Sequence, residues 1–110
     1  MKMDRVVFDR NDLKMRAFTL VSGDNYVVLD KGKLGDEVEI AVSDDLGNVS
    51  SIAFRVIRNV LLGQRQHWVY GAVISGDGLY RQIEIKLYDD HALDSVEVFP
   101  QAPPIIEKLR

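Results

Sequence analysis

Acid–base or metal chemistry would depend on very few side chains in this sequence. The chain has two histidines, His67 and His91, and no cysteine. His91 follows the acidic pair Asp89-Asp90, and imidazole combined with carboxylates is a ligand set that zinc accepts. Such a site would need His67 as well, and no local pattern brings the two histidines together. We therefore interpret residues 89–91 as a solvated turn and predict no metal site.

The sequence lacks the other common catalytic patterns. Asp44-Asp45 and Asp89-Asp90 are adjacent acids in turn-like segments, whereas a glycosidase needs two carboxylates on either side of its substrate. Ser50-Ser51 has no nucleophile-elbow context, and no P-loop, dinucleotide-binding glycine pattern or zincin motif is present. His67 precedes Trp68 and is interpreted as a residue at a strand edge. We predict that the chain is not an enzyme.

Arginine and tryptophan side chains in the middle of the chain could instead bind a partner protein. Arg58 and Arg65 flank a polar segment, and Trp68 follows it. Arginine and aromatic residues together are common in protein-interface hot spots. Arg55 lies on the face opposite Arg58 if the intervening strand is regular. We predict protein contacts at Arg58, Arg65 and Trp68, and a solvated barrel rim is the alternative interpretation.

Length and composition limit the class of protein. The chain has 110 residues, of which 46% are hydrophobic and 28% charged, so we expect one globular domain over residues 1–110. The formal net charge is −3, without the basic excess of a nucleic-acid-binding surface. Neither a secretory signal nor an apolar stretch of about 20 residues is evident. We expect a cytoplasmic protein that neither binds nucleic acid nor inserts into a membrane.

Alternating apolar residues predict a run of short strands. The clearest alternation falls in three consecutive segments separated by turns, at residues 34–43, 52–58 and 69–74. Further strands are predicted at residues 5–8, 14–21, 26–29 and 96–99. The segment 22–25 combines glycine and asparagine, which tolerate tight turns, so a hairpin is predicted between the second and third of these.

Three segments are less regular. Residues 79–88 fit both a strand and a helix, and the β-branched Ile83 and Ile85 favour the strand. Residues 61–66 interrupt the alternation and are interpreted as a loop with Leu61 and Leu62 packed beneath it. Residues 89–94 are expected to form a turn or a single helical turn.

Close spacing of many strands predicts a small antiparallel β-barrel or a sandwich. We expect an all-β or β-rich α+β fold. Residues 100–110 form a C-terminal tail, in which Pro104 suits the first position of a short amphipathic helix over residues 105–110.

The three central segments also resemble the PilZ domain, a six-stranded β-barrel with a C-terminal helix. The Gly-Asp-x-Val-x-Ile entry to a strand matches residues 35–40, and a Val-[Val/Ile]-Arg strand end matches residues 56–58. An aromatic residue, glycine and a further apolar residue match residues 70–73. The resemblance covers about residues 19–75.

This resemblance implies a regulatory role in bacterial signalling with cyclic di-GMP as ligand, bound by an Arg-x-x-x-Arg motif and an [Asp/Asn]-x-Ser-x-x-Gly motif. Arginine suits that ligand because its planar group grips phosphates and stacks on bases. The corresponding residues here are Arg5, Arg10 and Ser22. The arginines are five rather than four positions apart, and Leu20 and Asn25 replace the acid or amide and the glycine. Family members without these motifs act through protein contacts.

We therefore expect a non-enzymatic adaptor domain that binds another protein. One alternative is a cyclic di-GMP receptor with degenerate motifs that uses Arg5, Arg10 and Ser22. Another is a small structural or assembly protein, for example of a phage or a secretion apparatus, which would form rings or higher oligomers. The sequence leaves the partner and the oligomeric state open.

Overall fold

The computed structural model describes residues 14–62, 66–75 and 80–100, and the backbone of residues 4–5. Its elements are the strands and helices that follow in chain order: β1 (Asp4–Arg5), β2 (Arg16–Leu20), α1 (Asn25–Lys31), β3 (Glu37–Ser43), β4 (Val49–Leu62), β5 (Gln66–Val73), β6 (Gln82–Tyr88), a short 3₁₀-helix (His91–Leu93) and β7 (Ser95–Phe99).

Strands β2 to β7 form a closed six-stranded antiparallel barrel with one short helix near the N-terminus. Around the barrel the order is β4, β3, β2, β7, β6 and β5, and pairing of β4 with β5 closes it. The two-residue β1 runs parallel to β4, with Asp4 opposite Ser50 and Arg5 opposite Ser51. The predicted β-barrel class is confirmed, and the three central segments are confirmed as strands β3, β4 and β5.

The barrel is filled by the inward side chains of all six strands. On β6 and β7 these are the fully buried Ile83, Ile85, Val96 and Val98, which pair across the two strands. Apolar side chains from the opposite wall and Leu29 of α1 complete the cluster. Burial of this many apolar groups is the main favourable contribution to the free energy of folding.

The predicted strand at residues 26–29 is wrong, because this segment lies within α1. Leu29 inserts into the core and is 1% exposed, and Tyr26 and Val28 pack beside it. The side chain of Asn25 donates to the carbonyl of Val21 at 2.6 Å and accepts from the amide of Ala41 at 3.0 Å. These contacts fix the start of a helix across the end of the barrel, so no hairpin forms around residues 22–25.

Residues 61–66 do not form a loop throughout, because Leu61, Leu62 and Gln66 belong to strands β4 and β5. Leu61 is also not packed beneath a loop, since 77% of it is exposed. The alternation changes phase because one extra residue is inserted in β4, between Val56 and Arg58. Arg55 and Arg58 were expected on opposite faces only if the strand is regular. The extra residue breaks that regularity, and their partners Ala72 and Tyr70 share one face of β5.

Two of the less regular segments have the secondary structure that the sequence predicts. Residues 82–88 are a strand, as the β-branched residues indicated, and residues 91–93 form a single 3₁₀ turn. The predicted strand at residues 5–8 is described only at Arg5. Residues 101–110, with the predicted C-terminal helix, lie outside the described residues.

Candidate protein-contact site

The three residues predicted for cyclic di-GMP are not brought together among the described residues. Ser22 is exposed in the turn before α1, next to the end of β2. Arg5 pairs with Ser51 of β4, and β3 lies between β4 and β2. Two strands therefore separate the backbone of Arg5 from that of Ser22. Arg10 lies outside the described residues.

Two of the residues predicted for protein contact share the outer face of the barrel. Arg58 lies opposite Tyr70 of β5, and Trp68 is two positions along the same strand. The rings of Trp68 and Tyr70 meet edge to face with centroids 6.3 Å apart. Arg58 and Trp68 thus flank one tyrosine, and both are half-buried. Arg65 lies outside the described residues.

An ion pair covers part of this outer patch, which we define as Arg58, Trp68, Tyr70, Glu84 and Lys86. The ammonium group of Lys86 is 4.6 Å from the centre of a Trp68 ring and 2.9 Å from a carboxylate oxygen of Glu84. Burial alone would lower the pKa of Lys86, but the hydrogen bond and the charge of Glu84 raise it above its ordinary value. Lys86 therefore remains a cation that neutralises the buried Glu84 carboxylate.

A second surface, which the sequence did not predict, is an apolar groove at one end of the barrel. We call it the end groove; its volume is about 620 Å³. It lies between α1 and the ends of β4, β5 and β6. Its lining residues are Tyr26, Val27, Asp30, Lys31, Leu61, His67, Leu87, Tyr88, Asp89 and His91. Val27 and Leu61 are 50% and 77% exposed, so apolar side chains stand at its margin with charged residues around them.

One wall of the end groove is helix α1, which Asn59 of β4 holds against the barrel. The Asn59 amide donates to the carbonyl of Leu29 at 2.8 Å and to that of Gly32 at 2.7 Å. Carbonyls at a helix C-terminus have no partner within the helix, so a side-chain donor there satisfies them. His67 Nε2 contacts the Asn59 oxygen, and burial lowers the pKa of His67, although the charge of Asp30 opposes that shift.

The opposite margin is organised by the buried carboxylate of Asp94. Its oxygens accept from the Tyr26 hydroxyl at 2.9 Å and from the Tyr88 amide at 2.7 Å. His91 Nδ1 lies 2.9 Å from the same carboxylate, and its ring packs on Tyr26. Burial, together with the hydrogen bond and charge of Asp94, raises the pKa of Tyr26 to about 12. Tyr26 is therefore a neutral hydrogen-bond donor at physiological pH.

The composition of the end groove is compatible with binding of a partner. The end groove combines an apolar floor with a charged rim, as the core and rim of protein interfaces do. Within the described segments, no three His, Asp or Glu side chains are grouped to hold a metal ion. No helix in the same segments is long and apolar enough to cross a membrane.

Sequence reasoning missed the end groove because its residues come from four separate segments of the chain. The one usable signal was the Leu61-Leu62 pair, whose apolar side chains follow a strand without an obvious partner. The interpretation that these leucines pack beneath a loop does not predict the exposure of Leu61.

Comparisons with known proteins add no further assignment. No family model matches the sequence, and no curated protein or solved structure is significantly similar to it.

Proposed function

We propose that this chain is a non-enzymatic, PilZ-like adaptor domain that acts by binding protein through the end groove. The observation that carries the proposal is the exposure of Val27 and Leu61 at the margin of an open apolar groove. Contiguous exposed apolar surface with a polar rim is characteristic of interaction sites. The six-stranded antiparallel barrel is the feature that supports the PilZ-like part of the proposal.

The groove has the rigidity that a recognition surface needs. Its helical wall is fixed by Asn59, and its other margin is fixed by Asp94 through Tyr26. A binding site whose side chains are already ordered loses little conformational entropy when a partner arrives.

A charge placed on the groove margin tests this function. In Val27→Lys an ammonium group replaces an exposed apolar side chain, and lysine favours a helix more than valine does, so α1 should remain folded. Leu46→Lys is the matched control, because Leu46 is 86% exposed in the β3–β4 turn and is not part of the groove. Each protein is immobilised and exposed to a lysate of the source cells.

We expect a protein that is retained by the wild type and by Leu46→Lys but lost from Val27→Lys. Circular dichroism and the melting temperature confirm that each variant is folded. Identical profiles of retained protein for the wild type and both variants would overturn the proposal.

A further inference from the structure

Strand β4 extends beyond β3, its partner on one edge. Phe54 pairs with Val38 of β3 and also with Val73 of β5. A strand residue with two partners has one on each side, so β3 and β5 lie on opposite edges of β4. Pairing with β5 continues to Leu62, whereas pairing with β3 covers only Val49 to Arg55.

The segment before β3 adds one more pair on the β3 edge and then leaves it. Val56 donates to the carbonyl of Asp36 and accepts from the amide of Gly35, both at 2.8 Å. Beyond Val56, no strand within the described part of the chain pairs with this edge of β4. We call residues 58–62 the free edge.

The hydrogen bonds of Val56 also show which backbone groups the free edge presents. The polar groups of Val56 point to the β3 side, and the extra residue between Val56 and Arg58 shifts the alternation by one. The N–H and C=O groups of Asn59 and Leu61 therefore point outward, away from β5. Those of Val60 point toward Trp68 of β5. The outward groups have no strand partner in the described segments.

Apart from Arg58 at its start, the free edge lacks the charged residues and prolines that normally protect such an edge. Native proteins protect exposed edges with charged side chains, proline or a covering segment. The four residues from Asn59 to Leu62 are all uncharged. An open groove of about 690 Å³ runs beside them, and its far wall includes Gly32 and Leu34. Leu34 is 70% exposed, so an apolar side chain on the groove wall borders the edge.

We propose that a second copy of this chain pairs antiparallel with the free edge about a two-fold axis at Val60. The proposal rests on the protein-binding function proposed above, since Leu61 and His67 line both grooves. A two-fold axis at Val60 places Asn59 opposite Leu61 of the second copy, so the outward backbone groups of each copy meet those of the other. Val60 faces its own counterpart, as an isologous contact requires.

Charge favours a second copy as the occupant. An uncharged segment can face itself without placing like charges opposite each other, which would destabilise a strand pair. Arg58 falls opposite the uncharged Leu62, so the two Arg58 side chains are not opposed. The groove wall carries the acidic Asp30 beside the basic Lys31 and Lys33. In a symmetric dimer each copy can therefore offer both signs of charge to the other. The net charge of −3 adds little repulsion.

The strand pair alone would be a small interface. Stable interfaces bury on the order of 1,200–2,000 Å², so the exposed Leu34 and Leu61 must also become buried. We therefore expect a dissociation constant in the micromolar range, and the association must be measured over a wide range of protein concentration.

Sedimentation velocity of the purified full chain provides the first test. The wild type should change from monomer to dimer as its concentration rises, and Leu46→Lys should do the same. Leu61→Lys should weaken dimerisation at least about tenfold, because a lysine on a strand edge opposes pairing. A wild type that stays monomeric at every concentration, or a dimer that Leu61→Lys leaves unchanged, would overturn the proposal.

A cysteine introduced at the axis tests the register. The chain has no cysteine, so Val60→Cys provides a single thiol directly opposite its symmetric copy. Facing residues in a non-hydrogen-bonded antiparallel pair have Cα atoms about 4.5 Å apart, which a disulfide can bridge. We expect rapid oxidation to a covalent dimer for Val60→Cys and not for the exposed control Leu46→Cys. Equal oxidation of both would contradict the register.

The two proposals fail in different ways. A monomeric wild type that still retains a lysate protein through Val27 would remove the two-fold pairing and keep the protein-binding function. If Leu61→Lys weakens the dimer but Val27→Lys retains the same lysate proteins as the wild type, the two-fold pairing stands and the proposed protein-binding function does not.

Discussion

Gly71 lies on β5 at a point where the neighbouring strand β4 leaves no room for a side chain. A Cβ atom at this position would lie 2.1 Å from Cδ2 of Phe54 and 2.9 Å from the carbonyl oxygen of Arg55. Phe54 is fully buried in the core, so its ring has little room to move. The aromatic–Gly–apolar pattern that suggested a known barrel family thus has a steric cause in this chain.

The substitution Gly71→Ala should lower the free energy of unfolding by about 1–3 kcal/mol, the usual cost of overpacking a core. Urea unfolding measures the change. The double variant with Phe54→Val provides the control, because valine has no δ carbon and so removes the closest clash. The cost of Gly71→Ala should therefore be smaller in the Phe54→Val background, and an equal cost in both backgrounds would contradict this explanation.

Two tyrosines should make the free energy of unfolding change with pH in the alkaline range. Burial is the main cause that raises the pKa of Tyr26 and that of Tyr70 from 10.0 to about 12, and the carboxylates of Asp94 and Glu84 add to the respective shifts. The folded chain therefore holds both phenols neutral more strongly than the unfolded chain does. Their contribution to stability is complete below pH 10 and is lost as the pH rises toward 12.

The variant Tyr26→Phe isolates one of these contributions. Phenylalanine does not titrate, so the difference in unfolding free energy between the wild type and Tyr26→Phe should shrink as the pH rises through this window. Urea unfolding at a series of pH values provides the measurement, and tyrosinate absorbance follows the ionisation directly. A difference that stays constant with pH would show that Tyr26 keeps its ordinary pKa.

At the scale of elements, the strands could be predicted from the sequence and the helix could not. Alternation identified β3 because it has one more buried and one more exposed face. In α1, the β-branched Val27 and Val28 indicated a strand, but bonds from Asn25 and Asn59 to distant backbone groups favour the helix. Long-range bonds of this kind leave no local pattern. For the same reason, neither the extra residue in β4 nor the exposure of Leu61 could be predicted from the sequence.

The helix should therefore depend on Asn59. Asn59→Ala leaves the carbonyls of Leu29 and Gly32 without their side-chain donor and should cost about 1–3 kcal/mol of unfolding free energy. Hydrogen exchange of the α1 amides should accelerate more than that of the β6 amides. Asn48→Ala is the matched control: Asn48 is exposed and bonds Asp44 within a turn, so its loss should cost no more than about 0.5 kcal/mol. Equal costs for the two variants would contradict the role of Asn59.

For the whole molecule, the sequence sufficed for the barrel class but not for the binding surface. Closely spaced strands predicted closure, and the barrel is closed by β4 and β5. The outer patch was partly predictable, because Arg58 and Trp68 are residue types that favour interfaces. The end groove was not, because it exists only after α1 has crossed the end of the barrel.

Cyclic di-GMP should not bind at the predicted positions. Ser22 and the backbone of Arg5 are separated by two strands, whereas a phosphate-binding cluster needs its polar groups side by side. Isothermal titration of the wild type with cyclic di-GMP at high micromolar concentration should give no heat of binding. Binding that is abolished in Arg10→Ala would contradict this prediction and would favour the receptor function.

Residue-resolved hydrogen exchange on β4 tests the protein-contact surface most directly. In dilute protein the outward amides of Asn59 and Leu61 should exchange fast, whereas the amide of Val60 should be protected by β5. When the chain associates with a second copy or a captured partner, Asn59 and Leu61 should become protected and Val60 should change little. Association that leaves the exchange of Asn59 and Leu61 unchanged would place the contact elsewhere on the barrel.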